Sequence, residues 1–314
     1  MAKVGRSPDD RPPSNLWPLN RWQTAAIALL GLALSSYLGT FLILRQFQTR
    51  LIFKPQHPVS TFTPQALGWA YEPVTLPVPP DPGNAGDPGG SLEAWWFPGA
   101  QGDRRVILLF LGRRHAMGEH LEIPTLRHRI SVLAGLGPSL LMVNYRGYGH
   151  SSGPFPTEAR LYQDGAAAWQ YLTGSRSRAP GEIFLYGYSL GGAVAVELAH
   201  GQPGVAGVMT EGTFTTMEAE IDALGSLRMF PVDWLVTQEF RTIDRIANLR
   251  VPLLIIHGTA DTVVPVGMAQ DLFGVAPGPK LLLLVDGGDH FNTALLGGEQ
   301  YQVALTRFVQ DYSP

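Results

Sequence analysis

Apolar and polar positions along this chain follow three patterns. The first is an unbroken apolar run, "WQTAAIALLGLALSSYLGTFLIL", from Trp22 to Leu44, with no charged residue and with Arg21 and Arg45 at its ends. At about 1.5 Å per residue a helix of this run reaches roughly 34 Å, against about 30 Å of bilayer hydrocarbon. The pattern predicts a single transmembrane anchor over 22–44. A cleaved signal peptide, with Ala33-Leu34-Ser35 as a cleavage site, and a buried helix of a soluble protein are the competing readings, but a signal's apolar region is usually only about 7–15 residues. Basic residues flank both ends: Lys3, Arg6, Arg11 and Arg21 on one side, Arg45, Arg50 and Lys54 on the other. This near balance leaves the membrane side of the following domain open. Before the anchor, residues 1–21 carry Pro8, Pro12, Pro13 and Pro18 among mixed charges and predict a disordered tail.

The second pattern begins with "YEPVTLPV" (71–78) and "SLEAWWFP" (91–98), separated by a segment rich in Pro, Gly and Asp. It predicts two strands joined by a loop. In the third, short apolar runs alternate with longer stretches of helical character. The runs are "VILLFLG" (106–112), "LLMVNYRG" (140–147), "IFLYGYS" (183–189), "VAGVMTEG" (205–212), "VPLLIIHG" (251–258) and "LLLLVDGG" (281–288). Continuous apolar runs of this length suit parallel strands buried on both faces, and the intervening stretches are long enough for crossover helices. The class is α/β, with a leading antiparallel hairpin on a mostly parallel sheet. The interval 213–250 exceeds one crossover helix. It predicts a cap insertion over the carboxyl edge of the sheet, where such folds place ligands.

Composition narrows the chemistry. Hydrophobic residues make up 45% and charged residues 16%, which suits a large core with an apolar surplus. The net charge of −3 supplies no basic field for nucleic acid. No cysteine is present, which excludes disulfides, thiolate nucleophiles and Cys-ligated zinc.

The candidate chemistry centres on "GYSLG". Gly187-Tyr188-Ser189-Leu190-Gly191 fits G-x-S-x-G at the point where an apolar strand turns into a helix. Gly187 and Gly191 would allow the sharp turn, and Ser189 would stand above the sheet edge at a helix N-terminus. The Leu190 N–H there would be one donor to a developing oxyanion. A serine nucleophile needs a base and an orienting acid, in this arrangement in the order Ser, Asp or Glu, His. "HGTAD" ending at Asp261 and "DGGDH" ending at His290 follow late strands in that order. Asp261 is therefore the expected acid and His290 the expected base. Glu211, Asp286 and Asp289 are competing acids. His257 is a competing base, read rather as a structural strand-end residue.

With these motifs in place, the chain resembles the α/β-hydrolase superfamily of serine hydrolases. It is most similar to a membrane-anchored subgroup that includes acyl-protein thioesterases and lysophospholipid lipases. The resemblance covers 51–314 and rests on "TRLIFKP" (49–55), "NYRGYGHSSG" (144–153), "GYSLGG" (187–192), "TEGTFTTM" (210–217), "HGTADTVVP" (257–265) and "GGDHFN" (287–292). It implies Ser189, Asp261 and His290 as triad. Relatives usually carry His-Gly-Asn after the third strand, where this chain has Leu111-Gly112-Arg113. A main-chain N–H does not depend on its side chain, so Arg113 is the expected second oxyanion donor. The pair Arg113-Arg114 reads either as solvated loop charge or as an attractor for an anionic headgroup. Arg146 and Tyr148 read as braces of the loop beside the active site, with substrate contact as the alternative.

The expected protein is a single-pass membrane serine hydrolase. Its substrates are esters or thioesters of acyl or lipid-like molecules, and it uses no metal or cofactor and binds no nucleic acid. Two alternatives stay open. One is a catalytically inactive scaffold on the same fold, supported by the altered "LGRR" loop. The other is a peptidase of the same superfamily.

Overall fold

The computed structural model describes residues 20–55, 58–83, 86–225 and 227–312, so the predicted tail lies outside the described residues except at its last two positions. The chain divides into two compact units with the boundary between Gln46 and Phe47. The first unit holds most of helix α1 (Arg21–Ile52). Its apolar window has a mean hydropathy of 2.1, and none of it is buried. Among the described residues it is the one helix long and apolar enough to cross a bilayer, a test that a signal sequence near an N-terminus also passes. The helix does not stop at Leu44. It runs on to Ile52, because Gln48 and Ile52, one turn apart on the same face, are buried in the second unit. The second unit accordingly starts four residues before the expected position 51.

That unit is built on one eight-stranded sheet: β1 (Glu72–Val78), β2 (Gly90–Phe97), β3 (Val106–Phe110), β4 (Ser139–Val143), β5 (Ile183–Tyr188), β6 (Gly207–Glu211), β7 (Leu253–Gly258) and β8 (Lys280–Val285). Their spatial order is β1-β2-β4-β3-β5-β6-β7-β8. The β1–β2 hairpin and the β2–β4 pair are antiparallel; all later pairs are parallel. Helices cover both faces: α2 (Met117–Glu122), α3 (Pro124–Ala134), α4 (Glu158–Gln170), α5 (Leu190–Gly201), α6 (Met217–Leu224), α7 (Val232–Leu235), α8 (Thr242–Ile246), α9 (Val266–Val275) and α10 (Thr293–Asp311). The alternation along β3 shows why both faces are apolar. Val106, Leu108 and Phe110 share one core with Leu161 of α4, Val194 of α5 and Leu272 of α9. Ile107 and Leu109 share the other with Ile130 of α3 and Leu305 of α10.

The chain leaves β3 for β4 on one side and returns to β5 on the other. The crevice at the carboxyl ends of β3 and β5 is therefore a topological switch point, where open α/β sheets bind ligands. The 213–250 interval folds as the short helices α6, α7 and α8 between β6 and β7. Thr216 starts α6 by accepting the Ala219 N–H at 3.0 Å. Two side chains pin the insertion. Glu158 accepts the N–H groups of Glu239 (2.6 Å) and Phe240 (2.9 Å). Gln48, at the end of α1, donates to the Leu235 carbonyl (3.2 Å) and accepts the Thr237 N–H (2.7 Å).

Candidate active site

Ser189 occupies the turn between β5 and α5 at φ 55° and ψ −121°, a conformation that costs a non-glycine residue about 1–3 kcal/mol. The surroundings hold it there. Its N–H donates to the Glu211 carbonyl at 2.8 Å, and its carbonyl accepts from the Gly192 N–H and the Thr213 hydroxyl. Gly187 and Gly191 serve close approach, as their spacing around the serine predicts. A Cβ on Gly187 would lie 2.3 Å from the Gly191 carbonyl oxygen, and one on Gly191 would lie 2.2 Å from that of Phe110. The turn thus presses α5, which Leu190 opens, against the end of β3. The first N–H groups of a helix lack the usual partner four residues back; that of Gly192 turns to the Ser189 carbonyl.

The structure brings Ser189, His290 and Asp261 together. His290 Nε2 lies 3.0 Å from Ser189 Oγ, and its Nδ1 lies 2.7 Å from Asp261 Oδ2. The other carboxylate oxygen, Oδ1, accepts the N–H groups of Val263 and Val264, each at 2.8 Å. Burial by itself raises the Asp261 carboxyl. Hydrogen bonds from His257 and His290, the charge of His290 and the Val264 N–H outweigh it and hold the group well below the usual carboxylate range. Asp261 is thus an anion at neutral pH that orders the Nδ1–H tautomer of His290 and leaves Nε2 free to accept a proton.

The competitors have other tasks. His257 Nε2 donates to the Val264 carbonyl at 2.8 Å while facing Asp261 Oδ2 at 3.4 Å, so it folds the loop that carries the acid. Asp289 accepts the Phe291 and Asn292 N–H groups, and Asp286 accepts the Thr259 hydroxyl; both build turns. His120 lines the cavity beside Ser189, but burial pushes its imidazole down to about 3, so it stays neutral.

That cavity measures 160 Å³ and is lined by Gly112, Arg113, His120, Ser189, Val263 and Phe291 among others. A larger, more open groove of 790 Å³, lined by His200, Asn248 and Arg250, includes none of the Ser189–His290–Asp261 set. Gly112 sits close against the serine: a Cβ there would lie 3.3 Å from Ser189 Cβ. Arg113 follows, and its carbonyl accepts the Lys54 N–H (3.1 Å) and the Tyr148 hydroxyl (2.7 Å). Tyr148 is therefore a brace of this loop. Arg146 braces its own, bonding Asp164 at 2.6 Å and Asp87 at 2.8 Å. The Arg113 guanidinium pairs with Glu220 of α6 at 2.8 Å, with 16% of its side chain exposed. Arg113 is therefore paired within the protein, while Arg114 beside it is exposed.

Behind the serine lies a cluster that local sequence does not announce. Arg129 of α3 makes two hydrogen bonds to Glu211, at 2.7 and 2.6 Å, and both side chains are 1% exposed. The hydroxyls of Tyr186 and Tyr301 also donate to Glu211. Glu211 thus holds the underside of the site together and, among the described residues, bonds no group of the 213–250 insertion. The Arg129 guanidinium stacks 3.8 Å over the Tyr188 ring, whose hydroxyl donates to the His290 carbonyl at 2.9 Å. Removing one charge of a buried pair leaves the other uncompensated. Glu211→Gln is expected to lower unfolding stability by about 3–5 kcal/mol, read as a drop in the urea midpoint.

The sheet order, the strained serine turn and the converging loops define an α/β hydrolase. The chain belongs to the α/β-hydrolase superfamily. A model of the prolyl oligopeptidase family matches residues 124–278. An uncharacterised protein of Mycobacterium tuberculosis is 34% identical over 221 residues, 70% of this chain and 75% of its own length. Alpha/beta hydrolase domain-containing protein WAV2 of Arabidopsis thaliana is 28% identical over 294 residues, 87% of this chain and 90% of its own. Among solved structures, the Pyrococcus furiosus esterase Pf2001 superposes with a TM-score of 0.66 at 19% identity, covering 84% of this chain and 99% of that one.

Proposed function

We propose that the protein is a membrane-anchored serine hydrolase that cleaves carboxylic esters or thioesters of acyl, lipid-like substrates. The observation that carries this reading is the hydrogen-bonded series Ser189 Oγ, His290 Nε2, His290 Nδ1, Asp261 Oδ2 beside a partly open cavity. Ser189 attacks the acyl carbonyl while His290 takes its proton. The N–H groups of Leu190 and Arg113 hold the oxyanion. His290 then protonates the leaving alcohol or thiol, and water releases the acyl group by the same steps. The exposed apolar helix α1 supports the membrane part, since it would keep the site near acyl chains.

The cavity bears on the substrate. An engineered cavity of about 150 Å³ takes up one benzene, so 160 Å³ holds a group of roughly that size. A longer acyl chain would extend beyond it. The test is a panel of acyl esters and thioesters from acetyl to palmitoyl, offered free and in vesicles, with blocked dipeptide amides alongside. Hydrolysis is expected for the esters and thioesters, with longer chains accepted when presented in vesicles. A strong preference for short soluble esters over every lipid removes the lipid-like part. Cleavage of dipeptide amides without ester cleavage favours a peptidase, the second reading, which the match to the prolyl oligopeptidase family model supports.

A further inference from the structure

We propose that Glu220, on the insertion between β6 and β7, is a positioning residue that clamps Arg113 so that its main-chain N–H faces the oxyanion. The inference rests on the serine-hydrolase reading and assigns a task to the insertion within it.

Three observations meet at Arg113. Its carbonyl is fixed from below by the Lys54 N–H and the Tyr148 hydroxyl. Its side chain is fixed from above by Glu220, at 2.8 Å, with the two side chains 16% and 2% exposed. The residue before it, Gly112, sits so near Ser189 that a single added carbon would touch the serine Cβ at 3.3 Å. A small shift of this loop is therefore a shift against the nucleophile.

Glu220 is a costly way to hold a helix. Its Oε2 is buried and has no hydrogen-bond partner among the described residues. Burial raises its carboxyl above the usual range, while Arg113 and His290 pull it the other way. A neutral or apolar side chain would serve a purely structural contact at lower cost. The carboxylate adds a charge-assisted bond with direction, reaching from α6 to the side chain of one particular loop residue. The loop thus carries an arginine where the related pattern has asparagine, and the arginine has its partner on the insertion.

The test compares ester hydrolysis and fluorophosphonate labelling by wild type, Glu220→Gln, Arg113→Gln and the double variant, with melting curves for each. All four keep the Arg113 N–H. Each single change is expected to lower kcat on the order of 10- to 100-fold with KM nearly unchanged, as misplacement of one oxyanion donor does. The double variant is expected to lose no more than either single one, since both break the same clamp. Arg113→Lys should recover part of the rate. Should Glu220→Gln not fold, Arg113→Gln reads the same loss alone. Unchanged kcat, a change confined to KM, or additive losses would overturn the clamp. So would a Glu220→Gln profile that shifts its acid limb and keeps its plateau, which assigns Glu220 to His290 instead. These outcomes leave the hydrolase reading standing. A folded wild type that neither labels nor hydrolyses esters sinks both, because an intact clamp would then hold a loop without chemistry.

Discussion

Ser189→Ala and His290→Ala are each expected to lower kcat by about 10⁶-fold, and the double variant to fall no further. The reason is the 3.0 Å hydrogen bond between Ser189 Oγ and His290 Nε2. A hydroxyl becomes a nucleophile only as its proton leaves, and the imidazole is useful only if it has that proton to take. Neither half works alone, so the second deletion removes nothing that the first left. Wild type should react with a fluorophosphonate at Ser189, located by mass spectrometry of the labelled peptide, and both variants should stay unlabelled. The fold should survive both changes. Alanine meets the same backbone strain as serine at φ 55°, and the Ser189 main chain keeps its bonds to Glu211, Gly192 and Thr213. The proposed oxyanion donors, the N–H groups of Leu190 and Arg113, are main-chain groups, so the variants should retain a residual advantage over water of about 10³–10⁴. A Ser189→Ala protein hydrolysing esters at the wild-type rate would assign the reaction to another nucleophile. Inert but folded wild type would move the scaffold reading to the front.

Much of this arrangement was legible in the order of apolar runs. Each of the eight runs became a strand, and β3 to β7 are buried throughout, because a run flanked by turn residues and too short for a core helix buries itself well only between sheet neighbours. With a parallel sheet, the loops after β5, β7 and β8 share one edge. Ser189, Asp261 and His290, each placed just past such a run, were bound to meet there. Partners that depend on packing across the chain left no trace. Arg129 finds Glu211 across 82 positions, and Glu211 finds Tyr301 across 90. Nothing in "PTLRHRISVLA" distinguishes Arg129 from a solvated helix charge. Glu220 sits in "MEAEIDAL" among Glu218 and Asp222, three acidic residues of which one turns inward. Only the fold of the insertion selects it. The end of α1 is a related case. The apolar run bounds only a candidate span, 22–44, and the helix continues past it because the next turns bury Gln48 and Ile52.

Asp261→Asn is expected to lower kcat by about 10⁴-fold while leaving the backbone in place. The amide oxygen can take over Oδ1, which accepts the Val263 and Val264 N–H groups at 2.8 Å. That anchoring turns the NH₂ toward His290 Nδ1, where Oδ2 now sits at 2.7 Å. A donor facing Nδ1 forces Nδ1 to accept, which moves the ring proton to Nε2. The ring nitrogen beside Ser189 Oγ then carries a hydrogen and cannot take another while neutral. The variant is also expected to lose stability in a pH-dependent way. Asp261 has a folded pKa held below its unfolded value, so its contribution is present above the unfolded carboxylate pKa, near 4, and is lost as pH falls through the lower folded value. Asparagine has no such term. Melting temperatures of wild type and Asp261→Asn should therefore differ most at neutral pH and converge as the solution is acidified below about pH 4. A constant gap across that range would mean that the loss comes from packing and not from the charge. A variant that keeps its rate would mean that His290 is oriented by something other than this carboxylate. His257 faces Asp261 with Nε2, which donates to the Val264 carbonyl at 2.8 Å, so that nitrogen cannot accept the Nδ1 proton in its stead.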